Sequence, residues 1–276
     1  MFFKIYNIIF SFINTYRLYF TDSLFYNLEK KKIDKLVLKK NPLISIICPT
    51  YNRCDLLLKR AVKSVLKQTY KNFEFLIISD GSSDNTKYEV KKIKDKRIKF
   101  YEISRKKNYP ETVENHWFCG PVNAINYGLK KIKGDWICRI DDDDIWTSNH
   151  IKLLLKFSRK NKFEFVSSSL NEIRFNKRKI NKGYEFKDKK LIVGGVQTWL
   201  YASYLRFFKS NIHCWRKNYN KVNDTDLQDR FIKAKIKMGY LDYPTALIKP
   251  RPGDQTIGLR AYKMRKNFYL KKYNFS

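Results

Sequence analysis

Between residues 43 and 103 the chain alternates two hydrophobic patterns, and this alternation restricts its fold more than anything else in the sequence. Three short runs, LISIICP (residues 43–49), FEFLIIS (73–79) and IKFYEI (98–103), read as strands, and the first is apolar throughout and short enough to be buried on both faces. After the first run, Leu56, Leu57, Ala61, Val62, Val65 and Leu66 share one face of a helix; after the second, a helix begins near Asp84. Strand and helix in turn specify a parallel sheet with helices on both sides. Ligands of such sheets lie outside the carboxyl ends of the strands. There the sequence has PTYNR after the first run and SDGSSD after the second. With 276 residues the chain has room for a substantial core, as one large domain or two small ones.

Further on, residues 135–146 read DWICRIDDDDIW, a short apolar strand running into four consecutive carboxylates. Adjacent like charges repel, so Asp141, Asp142, Asp143 and Asp144 are expected to be neutralised by a cation or a hydrogen-bonding ligand. A solvated acidic loop tip is the plainer alternative. Residues 104–120 form a long polar and aromatic loop whose length suggests function, with His116 and Trp117 as candidates and simple packing of the pair as the alternative. Beyond the tetrad come a helix over 148–160, a partly alternating strand over 163–175, and a very basic stretch, 177–190, expected to be mobile. Trp199, Tyr201, Tyr204, Phe207, Phe208, Trp215 and Tyr219 then suggest a small core ahead of a sugar-stacking platform. In NDTDLQDR (223–230) one acid is explained by helix capping, three are not. The strand YLDYPTALIKP and the turn-rich PRPGDQTIG follow, and the tail after Leu259 is basic.

Composition narrows the partners. Lys and Arg number 58 against 26 Asp and Glu, a net charge of +32, which invites a polyanion. The sequence has no single basic helix, no Cys/His finger spacing and no Arg-Gly tract, so nucleic acid is disfavoured and an anionic membrane or phosphate-bearing substrates remain. Five scattered cysteines, odd in number, speak for a reducing compartment. In residues 1–20, Lys4, Asn7, Ser11, Asn14 and Arg17 make a narrow polar stripe beside a wide apolar face. The apolar run is broken too often for a spanning helix and lacks a signal cleavage site. The segment is expected either to lie in a membrane interface or to dock on the globular body. Lys30, Lys31, Lys32, Lys35, Lys39 and Lys40 would suit anionic head groups.

In order, ISIICPTYNR, FEFLIISDGSSDNT, GDWICRIDDDDIW and NDTDLQDR resemble the signature of family 2 glycosyltransferases, inverting nucleotide-sugar enzymes of the GT-A fold. The likeness spans about residues 43–258. It implies an α/β, Rossmann-like, mostly parallel sheet with helices on both faces and a smaller acceptor-side subdomain. The expected division is an amphipathic helix and basic segment (1–40), a transferase domain (41–258, its nucleotide-sugar half 41–146 and its acceptor half 147–258) and a basic tail (259–276). By resemblance Pro49, Thr50 and Tyr51, with Arg53 adjacent, cradle the nucleotide, and Asp80 bonds the nucleobase, although Ser79 replaces the usual first acid. Asp141 and Asp143 are the DxD pair that holds Mn2+ or Mg2+, with Asp142 in the variable slot. Asp224 is the general base, with Asn223 in place of the customary Glu and Asp226 as rival. Arg251 is a candidate phosphate partner. The expected substrates are a nucleoside-diphosphate sugar, a UDP-sugar by preference, and a glycan or lipid-linked acceptor of the cell envelope, met on the cytosolic side of a membrane. A nucleotidyltransferase would want a Gly-rich phosphate loop that PTYNR lacks, and a basic membrane- or nucleic-acid-binding module is the non-enzymatic alternative.

Overall fold

In the computed structural model, which describes residues 2–106, 108–110, 112–174, 177–186, 189, 191–216 and 222–249, the three sequence runs become parallel strands β1 (Ile44–Thr50), β2 (Phe73–Asp80) and β3 (Ile98–Ile103). Strands β1 and β2 are buried along their whole length, as covering on both faces demands. Strand β4 (Trp136–Arg139) adds in parallel on the other side of β1, so β1 has a neighbour on each edge and its carboxyl end points at the tetrad. The remaining strands are β5 (Asp144–Trp146), β6 (Phe165–Arg174), β7 (Lys177–Asn181), β8 (Tyr184–Phe186), β9 (Leu191–Val193), β10 (Leu200–Ala202) and β11 (Met238–Ile248). The main sheet runs β3-β2-β1-β4-β10-β6-β11-β5, with β7 paired to β6. Parallel order is interrupted at β10, which is antiparallel to both β4 and β6; β11 is again parallel to β6, and β5 closes the sheet antiparallel to β11.

The helices are α1 (Phe2–Glu29), α2 (Lys32–Leu38), α3 (residues 54–66, π-helical over Leu57–Val62), α4 (Thr86–Lys91), α5 (Val113–Cys119), α6 (Val122–Lys131), α7 (His150–Asn161) and α8 (Asn223–Lys233). Two expectations change. The loop of residues 104–120 contains α5, opened by Thr112, whose hydroxyl accepts from the Asn115 amide at 3.3 Å. Phe118 and Cys119 of that helix join Val122, Cys214 and Trp215 in a small satellite core. Within the basic stretch, β7 pairs antiparallel with β6 and β8 with β9. Charge had masked these strands: their side chains are mostly exposed, and a lysine-rich edge needs only backbone pairing to form. The aromatic region is core, with Trp199, Tyr201, Phe208 and Trp215 buried.

Helix α1 is docked on the body by polar contacts. Asp22 pairs with Arg230 at 2.6 Å, Tyr26 donates to Glu164 at 2.6 Å, and Asn14 donates to Asn211 at 3.4 Å. Arg230 is buried and also bonds Asp226 at 3.0 Å, so a cation with no access to water is held by two carboxylates from different helices.

At the other end of the sheet His150 is sealed under Trp146, the rings stacked 4.0 Å apart, with Nδ1 2.8 Å from the Thr245 hydroxyl. Burial pushes its pKa down to about 3, so the folded protein keeps it neutral where the unfolded chain, at 6.5, takes a proton. Stability is therefore whole above pH 6.5 and is lost as pH falls toward 3, at a limiting slope of about 1.4 kcal/mol per pH unit from this one group. Urea unfolding between pH 7.5 and 4.5 should show that loss, and His150→Gln should flatten it; an unchanged slope would mean that other groups carry it.

Candidate active site

The site forms where the ends of β1, β2 and β4 meet the head of α8. Leaving β1, the chain turns at Asn52 in the left-handed region (φ 49°), a conformation asparagine tolerates. Asn52 then locks this turn to the one after β2: its Oδ1 accepts from Ser83 N at 2.7 Å, and its own N–H donates to Ser82 Oγ at 3.1 Å. Gly81 in that second turn has φ +72°, and a Cβ there would stand 3.1 Å from Arg105. The two motif loops are thus fixed against each other before any ligand is considered.

Asp142 faces β1. Thr50 Oγ1 donates to its Oδ2 at 2.9 Å and Arg53 Nη1 to its Oδ1 at 3.1 Å. Burial raises its pKa to about 6, with the Asp143 charge adding and Arg53 and Thr50 opposing. Asp141 is less enclosed and turns the other way: Arg139 grips its Oδ1 through two N–H groups, at 2.9 and 3.1 Å, while Oδ2 accepts no hydrogen bond from the described residues. Asp143 is buried, and its backbone carbonyl accepts from Arg60 Nη1 at 3.0 Å, an arginine presented by the π-helical part of α3. Asp144 begins β5 and pairs with Ile248.

Arg139 also reaches α8, donating to Asn223 Oδ1 at 3.3 Å. Asp224 follows in the first turn of that helix, half-buried, its Oδ1 accepting from the Thr225 amide at 2.8 Å. Enclosure pushes its carboxyl up, Arg139 pulls it down, and Asp141 adds a smaller push up. Asp226, one turn face away, is fully buried against Arg230 and within 3.4 Å of Asn211 Nδ2.

On the β2 side, Asp80 is buried. Its Oδ2 accepts from Tyr109 at 2.6 Å and lies 3.4 Å from Arg105 Nη1, whereas its buried Oδ1 has no hydrogen-bond partner among the described residues. Arg105 lies 3.9 Å over the exposed ring of Tyr51 and donates to His116 Nε2 at 2.7 Å; burial and this cation lower the His116 pKa. The structure therefore brings together Pro49, Thr50, Tyr51, Arg53, Asp80 and Asp141 to Asp143, with Asp224 linked through Arg139. Arg251 lies outside the described residues. Sequence reasoning missed Arg139, a cation inside an otherwise apolar strand; Arg105 and Tyr109, hidden in a loop suspected only for its length; and Arg60, which reads as an ordinary exposed helix position.

A divalent ion would find hard carboxylate oxygens here. Among the described residues no three His, Cys, Asp or Glu side chains are grouped as a cage. Magnesium, however, is usually held by one or two carboxylates, with water and substrate phosphate oxygens completing its shell, so an aspartate pair fits it.

The sequence profile described as Glycosyl transferase family 2 matches residues 45–222. An uncharacterized glycosyltransferase of Rickettsia conorii is 42% identical over 132 residues, 47% of this chain and 19% of that protein. WfgD of Escherichia coli, a UDP-Glc:alpha-D-GlcNAc-diphosphoundecaprenol beta-1,3-glucosyltransferase, is 35% identical over 134 residues, 49% of this chain and 48% of its own. The chain thus spans less than half the length of these curated relatives. Among solved structures, S. aureus TarS in complex with UDP-GlcNAc superposes with a TM-score of 0.58 at 16% identity, covering 77% of this chain and 60% of that one. The mannosyltransferase PcManGT from Pyrobaculum calidifontis, in complex with GDP-Man and Mn2+, gives 0.57 at 13% identity, covering 95% and 73%.

Arg139 holds apart two acids that would otherwise face each other. Arg139→Met should cost about 1–2 kcal/mol at pH 7, discounted because Asp141 is a third exposed. As pH falls the loss should shrink, because the raised Asp224 carboxyl takes up its proton and no longer needs the cation; urea unfolding at pH 7 and pH 4 checks this, and an equal loss would mean that packing rather than charge is at stake.

Proposed function

The chain belongs to glycosyl transferase family 2 and has the GT-A fold, and from that membership we propose that it moves a sugar from a nucleoside-diphosphate sugar to a hydroxyl of a glycan or lipid-linked acceptor, inverting the anomeric centre, with Asp224 as general base. The observation that carries this reading is the Asp141–Arg139–Asn223 link: it supports a base on one side of a reacting sugar and the acidic tetrad on the other.

On the donor side, Pro49, Thr50 and Tyr51 line the nucleotide, and the lone buried Oδ1 of Asp80 accepts an N–H from the base. Arg53, with Arg251 as a second candidate, faces the phosphates. Asp143 and Asp141 would hold Mn2+ or Mg2+, whose charge, when bound, offsets the charge that gathers on the departing diphosphate. Asp224 takes the proton from the acceptor hydroxyl as its oxygen bonds to the anomeric carbon and the bond to the diphosphate oxygen breaks on the opposite face. A carboxyl whose proton affinity is raised by enclosure suits that task, because it holds the accepted proton better. Asp226 is committed to Arg230, which favours Asp224 over it. A UDP-sugar is the preferred donor and a diphospho-lipid-linked glycan the preferred acceptor, by likeness to WfgD and TarS. Five free thiols fit a reducing, cytosolic setting.

Purified protein assayed against UDP-Glc, UDP-GlcNAc and GDP-Man with and without Mn2+ tests the reading. Asp224→Asn should lower kcat by about 10²–10⁴-fold with nucleotide affinity unchanged. Asp143→Asn should remove the metal dependence of nucleotide binding. Full activity in Asp224→Asn, with loss in Asp226→Asn, would move the base to Asp226.

A further inference from the structure

Helix α1 meets the body through a mixed face, with Phe10 against His213 and Phe25 against Phe207 beside its polar contacts, and leaves a second apolar face uncovered. Asn14 and Asp22, both buried, and Tyr26, which donates to Glu164, face the body. The opposite face carries Ile5, Ile9, Phe12, Ile13, Tyr16, Phe20 and Leu24, all exposed and all within about one third of the helix circumference at 100° per residue. Phe12, Phe20 and Leu28 are 62%, 71% and 71% exposed. From Ile5 to Leu24 the stripe runs about 29 Å at 1.5 Å per residue. A continuous apolar stripe of that length on a soluble surface marks a contact with something apolar. No helix among the described residues is long and apolar enough to cross a membrane, so α1 lies along its partner rather than through it.

Charge identifies the partner. The stripe runs at its C-terminal end into an open groove of about 980 Å³, to which Phe25 contributes its ring. Lys32, Lys35, Lys39, Lys130, Arg206 and Lys209 line this groove against the carboxylates of Glu29 and Asp135, and those two are already paired with Lys32 and Lys39. The other four cations have no carboxylate partner among the described residues. A second copy of the chain would bring like charge against like charge here, whereas an anionic bilayer offers acyl chains to the stripe and phosphates to the groove beside it.

We propose that the outer face of α1 and the adjoining basic groove form a docking surface for an anionic lipid bilayer, with lipid phosphates in the groove. This is independent of the transfer reaction, since it needs neither donor nor acceptor. The test is sedimentation of the full chain with vesicles of phosphatidylcholine alone or with 30% phosphatidylglycerol. The intact protein should bind the anionic vesicles and release as NaCl rises from 0.1 to 0.5 M. Phe12→Ser with Phe20→Ser should weaken binding at least tenfold, and so should Lys35→Glu with Lys130→Glu; every replaced side chain is outside the reaction site, and unaltered urea unfolding would show that each pair folds. UDP affinity should be the same in all forms. Unweakened vesicle binding in either folded variant overturns the proposal. So does a dimer, by sedimentation velocity, that the phenylalanine pair abolishes while vesicle binding is absent.

Discussion

Four carboxylates stand in a row where β4 ends, and most of the site's arrangement follows from how that charge is distributed. The chain sends the acids in different directions. Asp142 turns inward to Thr50 and Arg53, Asp141 turns toward Arg139 and α8, and the backbone carbonyl of Asp143 is gripped by Arg60. Each cation comes from a different element, so the tetrad draws β1, α3 and the acceptor-side helix onto one point. Compensation is also incomplete by design of the geometry: one oxygen of Asp141 is left to accept what a ligand or ion brings. A site that neutralised all four acids internally would have little affinity for a cation.

The parallel half of the sheet was legible because a strand buried on both faces is written mainly in apolar residues, and β1 and β2 are, apart from buried Ser45 and Glu74, which bond each other, and the polar residues at their carboxyl ends. The motif loops were legible because parallel strands deliver their ends to one edge. What the pattern could not show was which acid faces which cation. Asp141 and Asp142 are neighbours and chemically identical, and their division between Arg139 and Arg53 is decided by strand pleat and tertiary approach. Arg139 itself sat in plain view, an arginine in WICRI, and reads as an exception to be explained once its partners are known. Helix α5 stayed hidden since its signal was short, and β7 stayed hidden because its exposed charges look the same in a strand as in coil.

The N-terminal segment is the instructive case. Its periodicity was clear, but periodicity gives two faces without saying which one faces inward. An apolar face usually seeks the core. Here the body presents polar groups that take further partners: Arg230, already bonded to Asp226, gains Asp22, and Glu164, which accepts from Tyr204 and the Lys237 amide, gains Tyr26. Removing Asp22 would leave part of the buried Arg230 charge uncompensated, and this cost ties the polar side of α1 to the body.

Helix α8 carries Asp224 in its first turn and, six residues on, Arg230, which is clasped by Asp22. One short helix therefore carries both the anchor of α1 and the proposed proton acceptor, so the surface helix and Asp224 share a single mount.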